Sequence, residues 1–396
     1  MGLENEAKSI YDTKAFYREY VSGMNSRQLG KEFQSDSERL KKLYQDALKE
    51  NNPHVEPEKI PFFQRVLSLL SSLTKRLNPV RRLVFGVSLG FFLIYFVLTI
   101  FEFLNVFILS GLRPLLLPFS FVLILVILLI ELLEKSDVQQ ELNVARDIQL
   151  SLLPPSTIQN NTLEIYSFAA TAREVGGDYV DVIKTDKGTY VIIADVSGKG
   201  MMAALYMVRI QALVHLLIEK DHPSPKQLLL ELNDYIKSNK SDKTFVTGCV
   251  AFFPDDDQSF TYARAGHNPP ILYSKSHDST FKLRTEGLAL GMTTTSILKK
   301  EVVEKKFRFE EQDSILFYTD GLTEARNEFG EEYGIERIDG IMSIYGSLHS
   351  KTISKKVQSS LESFIGTEKN LDDITFATVH RNPTGKLSTG SGQDHE

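Results

Sequence analysis

The spacing of apolar residues changes character several times along the chain, and each change predicts a different kind of element. Lys14 to Ser22 and Arg27 to Lys49 carry apolar positions at helical spacings, such as Leu40, Leu43 and Leu48, among many charges. That pattern predicts amphipathic helices. Pro53, Pro57 and Pro61 break it ahead of an apolar stretch from Phe62 to Leu73. Next comes an uncharged, mostly apolar run, Leu83 to Phe101, of about 19 residues, long enough to cross a bilayer. A second run, Pro114 to Ile130, is about 17 residues, at the short end of that range. Two such runs in tandem with charged flanks predict a membrane hairpin rather than buried core.

The flanks also predict an orientation. Lys75, Arg76, Arg81 and Arg82 precede the first run, whereas the connecting segment carries only Glu102 and Arg113. The positive-inside rule puts the N-terminal segment in the cytoplasm, and an even number of spans returns the C-terminal half to the same side. The expected location is the inner (cytoplasmic) membrane, with both polar parts facing the cytoplasm. Roughly 80 residues precede the first run, which argues against a cleaved signal peptide.

From Phe121 to Leu153 the chain holds neither Gly nor Pro, so one helix is expected to leave the membrane and continue. Val138, Leu142, Ala145, Gln149 and Leu152 alternate spacings of four and three, as in a coiled-coil seam. This seam predicts a homodimer through the 131–153 helix; the competing reading is an amphipathic helix packed on its own domain. Pro154 and Pro155 end the helix. Short runs rich in apolar, aromatic or β-branched residues then read as strands at 163–170, 179–183 and 189–196. Helical patterns follow at 201–218 and 224–237. Strand-like runs resume at 246–253, 259–263, 270–273, 302–309, 314–318 and 374–379. Strands, a helix pair and more strands predict an α+β sandwich rather than a doubly wound parallel sheet. The expected organisation is a helical segment over 1–78, a transmembrane hairpin over 79–132 and a linker over 133–153. A catalytic domain over 154–381 and a disordered Gly/Ser-containing tail over 382–396 complete it.

Composition narrows the function classes. The formal net charge of -6 gives no support for a nucleic-acid binder. Cys249 is the single cysteine, which rules out an intramolecular disulfide or a thiolate metal cage. It lies in the apolar run TGCVAFF and reads as an inert core residue.

Candidate chemistry lies in aspartates placed where strands meet loops. Asp178 and Asp181 sit in REVGGDYVDV, Asp195 in VIIADVSGKG, Asp320 in ILFYTDGLTEA, and Asp372 and Asp373 in LDDITF. Any one of these alone reads as a turn. Several in one domain read as a carboxylate cluster, which needs cations to offset its self-repulsion. Oxygen ligands without a Cys or His pattern suit Mg²⁺ or Mn²⁺. By contrast, Asp255, Asp256 and Asp257 lack calcium-loop spacing and read as a solvated turn.

The series AREVGGDYVDV, DVSGKG, AGHNPP, YTDGLTEA and DDITF resembles the bacterial PPM-type (protein phosphatase 2C-like) serine/threonine phosphatases, in their SpoIIE/RsbU-like branch. The preceding ELNVARDIQLSLLP is similar to the helical linker found ahead of that domain. The resemblance covers about residues 138–380 and leaves the N-terminal segment without a family. It implies an α-β-β-α fold, two packed antiparallel sheets flanked by helices, with two Mn²⁺ or Mg²⁺ ions at one edge. On this resemblance Asp195 bridges both metals and the Val196 carbonyl binds one. Asp320 and Asp372 complete the first metal's carboxylates, Asp178 holds metal-bound waters, and Asp373 is the less expected member of its pair. Arg173, five residues before Asp178, stands where animal members place a phosphate-binding arginine; the alternative is a surface salt bridge. His267 reads as structural rather than as a general acid. Animal members carry a histidine just after the bridging aspartate, and here Ser197 stands there.

The implied activity is hydrolysis of phosphoserine or phosphothreonine on a regulatory protein, such as an anti-sigma-factor antagonist. Two other readings compete. Gly176-Gly177-Asp178 is similar to the diguanylate cyclase signature, but Tyr179-Val180 replaces its Glu-Phe. A catalytically silent pseudophosphatase acting as a membrane scaffold or sensor would tolerate loss of the acids, yet every expected metal position holds one.

Overall fold

The computed structural model describes residues 79–103, 113–160, 162–238, 244–368 and 370–383, with scattered positions between 61 and 74. The helical segment expected over 1–78 and the tail expected over 382–396 lie almost wholly outside these described residues. The chain divides into two compact units, Met1–Ser136 and Asp137–Glu396.

In the first unit, helix α1 (Pro79–Phe103) runs antiparallel to the start of helix α2 (Arg113–Ser151). Their contacts suit apolar surroundings. Ser88 Oγ donates to the Ser120 carbonyl and Ser120 Oγ to the Ser88 carbonyl, both at 3.0 Å. Each buried hydroxyl is thereby satisfied, and small residues let the backbones approach. Phe91 and Phe119 meet edge to face at 5.1 Å. At the polar end Arg81 pairs with Glu131 at 2.7 Å. Phe92, Phe96, Leu115 and Phe121 point outward.

The second unit is a two-sheet sandwich. One sheet contains β1 (Thr157–Gln159), β2 (Leu163–Ala170), β7 (Ile271–Ser274), β8 (Ser279–Lys282), β10 (Ser314–Tyr318) and β11 (Ile374–Arg381), in the order β1-β2-β11-β10-β7-β8. The other runs β3-β4-β5-β6-β9, from β3 (Asp178–Lys184), β4 (Gly188–Val196), β5 (Val246–Pro254), β6 (Ser259–Ala265) and β9 (Glu304–Arg308). Every pairing between these strands is antiparallel.

Two-residue periodicity sorts the side chains into layers. In β4, Val191 and Ile193 enter the core between the sheets with Phe253, Phe260 and Phe317. Tyr190, Ile192, Ala194 and Val196 face the opposite way, onto helices α3 (Met201–Asp221) and α4 (Pro225–Ser238). In β10, Ile315 and Phe317 join the central core, while Leu316 and Tyr318 meet a third cluster. Helices α7 (Ile335–Tyr345) and α8 (Ser350–Ile365) cover that cluster through Ile338, Met342, Ile353, Val357 and Leu361. Short helices α5 (Thr295–Glu301) and α6 (Asp320–Glu324) complete the described elements. The expected α-β-β-α arrangement is therefore present. Strands β1 and β8 had no counterpart in the sequence reading. Both are short, largely polar sheet edges with too few apolar positions to show alternation.

Burial of a histidine gives this fold a pH signature. His380 on β11 is 2% exposed, and its Nδ1 shares a hydrogen bond with Ser314 Oγ at 2.8 Å. Burial, then the neighbouring His349, lowers its pKa to about 4. The unfolded chain binds the proton more tightly, so this group's contribution is complete above pH 6.5 and is lost as pH falls toward 4. The effect is at most about 3 kcal/mol. A His380→Gln variant, compared with wild type by thermal melts between pH 4 and 7, should show a flatter loss of Tm over that range.

Candidate functional site

The period that builds the core also aims the acids. Asp178, Val180 and Val182 share one face of β3, and Val191, Ile193 and Asp195 share one face of β4. Val180, Val191 and Ile193 lie between the sheets, so Asp178 and Asp195 point into the inter-sheet space where the apolar core ends. The register sets the two acids directly opposite each other. Asp181, on the other face of β3, is buried elsewhere. It accepts from Tyr179 Oη at 2.9 Å and the Val182 N–H at 2.8 Å, and lies 2.7 Å from His215 Nε2.

The opposing sheet supplies the remaining acids from adjacent strands. Asp320 follows the C-terminal end of β10, and Asp372 and Asp373 precede β11, with Tyr318 opposite Phe376. Two ties bind the sheets at this edge. Thr319 Oγ1 donates to Asp178 Oδ2 at 2.8 Å. Asp373 accepts from the Ala172 N–H at 2.8 Å and the Gly177 N–H at 2.7 Å, one on each oxygen. Asp373 is thus bound to backbone, while Asp372 accepts from the Asp373 N–H at 3.0 Å and pairs with Lys199. Close approach restricts residue choice as well: a Cβ on Gly321 would overlap the Asp373 carbonyl oxygen. A Cβ on Gly177 would stand 3.0 Å from the Val196 carbonyl oxygen, one of the expected ligands.

Electrostatics show that these acids share one field. Burial raises the Asp178 pKa well above the usual carboxylate range, and Asp195 adds to the effect. Asp195 is pushed up to about 7 by burial and then by Asp320, Asp372 and Asp373. Asp320 is raised by burial and by Asp372. Against them stands Lys199, whose Nζ lies 2.6 Å from Asp372 Oδ2 and donates to the Leu371 carbonyl at 2.9 Å. An all-oxygen, mutually repelling donor set fits a hard divalent cation by chemistry. As placed, no three His, Cys, Asp or Glu groups among the described residues are close enough to enclose one. Asp178 is turned to Thr319, Asp372 to Lys199 and Asp373 to backbone.

The other residues singled out by the sequence are not all at this edge. Arg173 is exposed, and its guanidinium reaches to within 3.8 Å of where a Gly200 side chain would begin, beside the DVSGKG turn. His267 is buried; its Nδ1 shares a hydrogen bond with Thr247 Oγ1 at 2.9 Å. Burial lowers its pKa to about 4, as suits a structural residue. Cys249 is buried in the core, and Asp257 is held in its turn by Ser259 and Lys306. Thr319, Lys199 and Gln149 were not anticipated. Gln149 donates to the Gly176 carbonyl at 2.6 Å and accepts from the Gly176 N–H at 3.1 Å. Its signal was a polar side chain at an otherwise apolar seam position. A cleft of about 240 Å³ opens beside Asp372, lined by residues that include Lys199, Glu324, Arg326 and Leu371.

The sequence and fold of the second unit have counterparts in known proteins. The profile of the family described as Stage II sporulation protein E (SpoIIE) matches residues 185–382, half of the chain. The chain belongs to this family. It is 33% identical to phosphoserine phosphatase RsbU of Bacillus subtilis over 199 residues, covering 50% of this chain and 57% of the relative. Protein IcfG of Synechocystis is 25% identical over 270 residues, 61% of this chain and 42% of the relative. The chain thus spans about half the length of the curated relatives it matches. The SiaA PP2C domain of Pseudomonas aeruginosa shares the fold, with a TM-score of 0.55 at 18% identity, covering 63% of this chain and 99% of that domain.

The contact at Gly321 gives a direct test of how the edge is assembled. Gly321→Ala should destabilise the chain by about 1–3 kcal/mol, because the added methyl meets backbone that cannot rotate away. Chemical denaturation measures it.

Proposed function

We propose that the chain is a membrane-anchored, divalent-metal-dependent protein phosphatase acting on phosphoserine or phosphothreonine of a regulatory protein. The observation that carries this reading is the opposition of Asp178 and Asp195 across β3 and β4, tied to the second sheet through Thr319 and Asp373, the sequence neighbours of Asp320 and Asp372. Relatedness to a phosphoserine phosphatase supports the reaction class. Asp178, Asp195, Asp320, Asp372 and the Val196 carbonyl are the groups assigned to two Mn²⁺ or Mg²⁺ ions. When bound, such ions supply the Lewis acidity for in-line hydrolysis of a phosphomonoester.

The chain's own part is positioning. The β3–β4 register fixes the spacing of Asp178 and Asp195, and Thr319 orients the Asp178 carboxylate. The Asp373 tie holds the Gly176-Gly177 turn in place. Arg173, at the rim, is assigned to the phosphate, for which its planar fork is suited.

Release of phosphate from p-nitrophenyl phosphate and a phosphoserine peptide tests the reaction. With the full chain in detergent, turnover should require Mn²⁺ or Mg²⁺ and stop with EDTA. Asp195→Ala and Asp320→Asn should each lower kcat/KM by about a thousandfold, the loss expected when several kcal/mol of metal-assisted stabilisation disappear. A pseudophosphatase scaffold predicts no metal-dependent turnover and an Asp195→Ala variant that keeps its function.

Anchoring rests on helix composition and exposure. Three helices among the described residues are long and apolar enough to cross a membrane. The apolar stretches of Pro79–Phe101 and Pro114–Ser151 are 6% buried, against 39% for Met201–Asp221. Buried residues of the last, such as Met207, Ile210 and Val214, pack onto the β3–β6 side of the sandwich. Two spans with both ends cytoplasmic is the topology assigned here. Protease added to intact spheroplasts should leave both the 1–78 segment and the catalytic domain uncut, and cut both after lysis. A homodimer through the 131–153 helix belongs to the same reading; of its seam residues Val138 is exposed, Leu142, Ala145 and Leu152 are half-buried, and Gln149 is buried.

A further inference from the structure

Lys199 has no assigned role in the reaction, yet it makes the shortest ion pair at the site. Its ammonium contacts Asp372 Oδ2 at 2.6 Å and also donates to the Leu371 carbonyl at 2.9 Å. Asp372 is one of the acids assigned to metal, so one carboxylate has two competing cations. The position of Lys199 is set from both sides. Gly198 and Gly200 flank it, both at positive φ, and the latter immediately precedes α3. The DVSGKG turn therefore carries a long, flexible cation directly from the end of β4 to the acid preceding β11.

We propose that Lys199 is a guard cation. It holds Asp372 through a charge-assisted hydrogen bond, competes with the divalent ion for that carboxylate, and so sets the site's metal affinity. The inference rests on the phosphatase reading only for the assignment of Asp372 to metal. The pair is about half exposed, 46% and 42% for the two side chains, so the ammonium is free to leave without unfolding anything. Released from Asp372, it remains at the cleft that Arg326 and Glu324 also line. A purely structural lysine would contribute to stability and leave metal affinity unchanged. A guard has the opposite signature, because removing it exposes the carboxylate to the ion.

Mn²⁺ binding to the full chain in detergent, followed by loss of the free-ion EPR signal, tests this without turnover. Lys199→Met should bind Mn²⁺ about fivefold to tenfold more tightly than wild type, the gain expected when one charge-assisted hydrogen bond no longer has to be broken. Lys199→Arg, which keeps the charge, should stay within about twofold of wild type. Lys199→Gln carries the same measurement if the methionine variant does not fold. Affinity unchanged or weakened on loss of the charge overturns the guard role while leaving the metal site intact. No Mn²⁺ binding by wild type or any variant overturns both this inference and the metal-dependent reading beneath it.

Discussion

Like-charge repulsion is the constraint around which this fold is organised. Two unit charges about 4 Å apart near a protein surface repel by about 4 kcal/mol, and the sandwich aims several carboxylates at one edge. Such an assembly survives only if each acid is neutralised, hydrogen-bonded or matched by a cation. All three devices are present. Asp195 is pushed up to about 7, where a proton is within reach at neutral pH. Asp178 and Asp373 accept hydrogen bonds that also join the sheets. Asp372 has Lys199. The ties that manage the charge are the same ones that close the sandwich at that edge, so stability and chemistry share their residues.

The strands were readable because period-two alternation is strong where one face meets the inter-sheet core and the other meets a helix. Val191 and Ile193 against Tyr190 and Ile192 is an example. The acids were readable because each sits at the end of such a run. Helices α7 and α8 were not assigned from pattern, although Ile353, Val357 and Leu361 repeat at helical spacing; their polar intervening residues resemble loop composition. The distinct roles of Asp372 and Asp373 depend on which carboxylate meets the Gly177 N–H, a contact about 200 residues distant in sequence that no local pattern encodes. Thr319 was equally hidden, since its partner Asp178 lies on the other sheet.

Gln149 shows how a local pattern can have two owners. Its seam position fits a coiled coil, yet its amide brackets the Gly176 peptide group from both sides. That peptide is two residues from Asp178. Close by, Leu152 accepts from the Gln211 side chain on α3, the helix that follows the DVSGKG turn. The end of this helix therefore contacts both Gly176, two residues before Asp178, and the helix that follows the DVSGKG turn.

The turn joining β3 to β4, Thr185 to Lys187, lies on the surface, far along both strands from the acids, and is closed by the Thr185 N–H to the Gly188 carbonyl at 2.8 Å. Exposed turns ordinarily accept insertions and deletions. This one acts as a ruler. A single added or removed residue that slipped the hairpin by one position would set Asp178 against Ala194 or Val196 in place of Asp195. The slipped strand would also turn its acid away from the inter-sheet space, toward the helical layer. A length change at this distant loop therefore has to be absorbed by a bulge if the acids are still to meet.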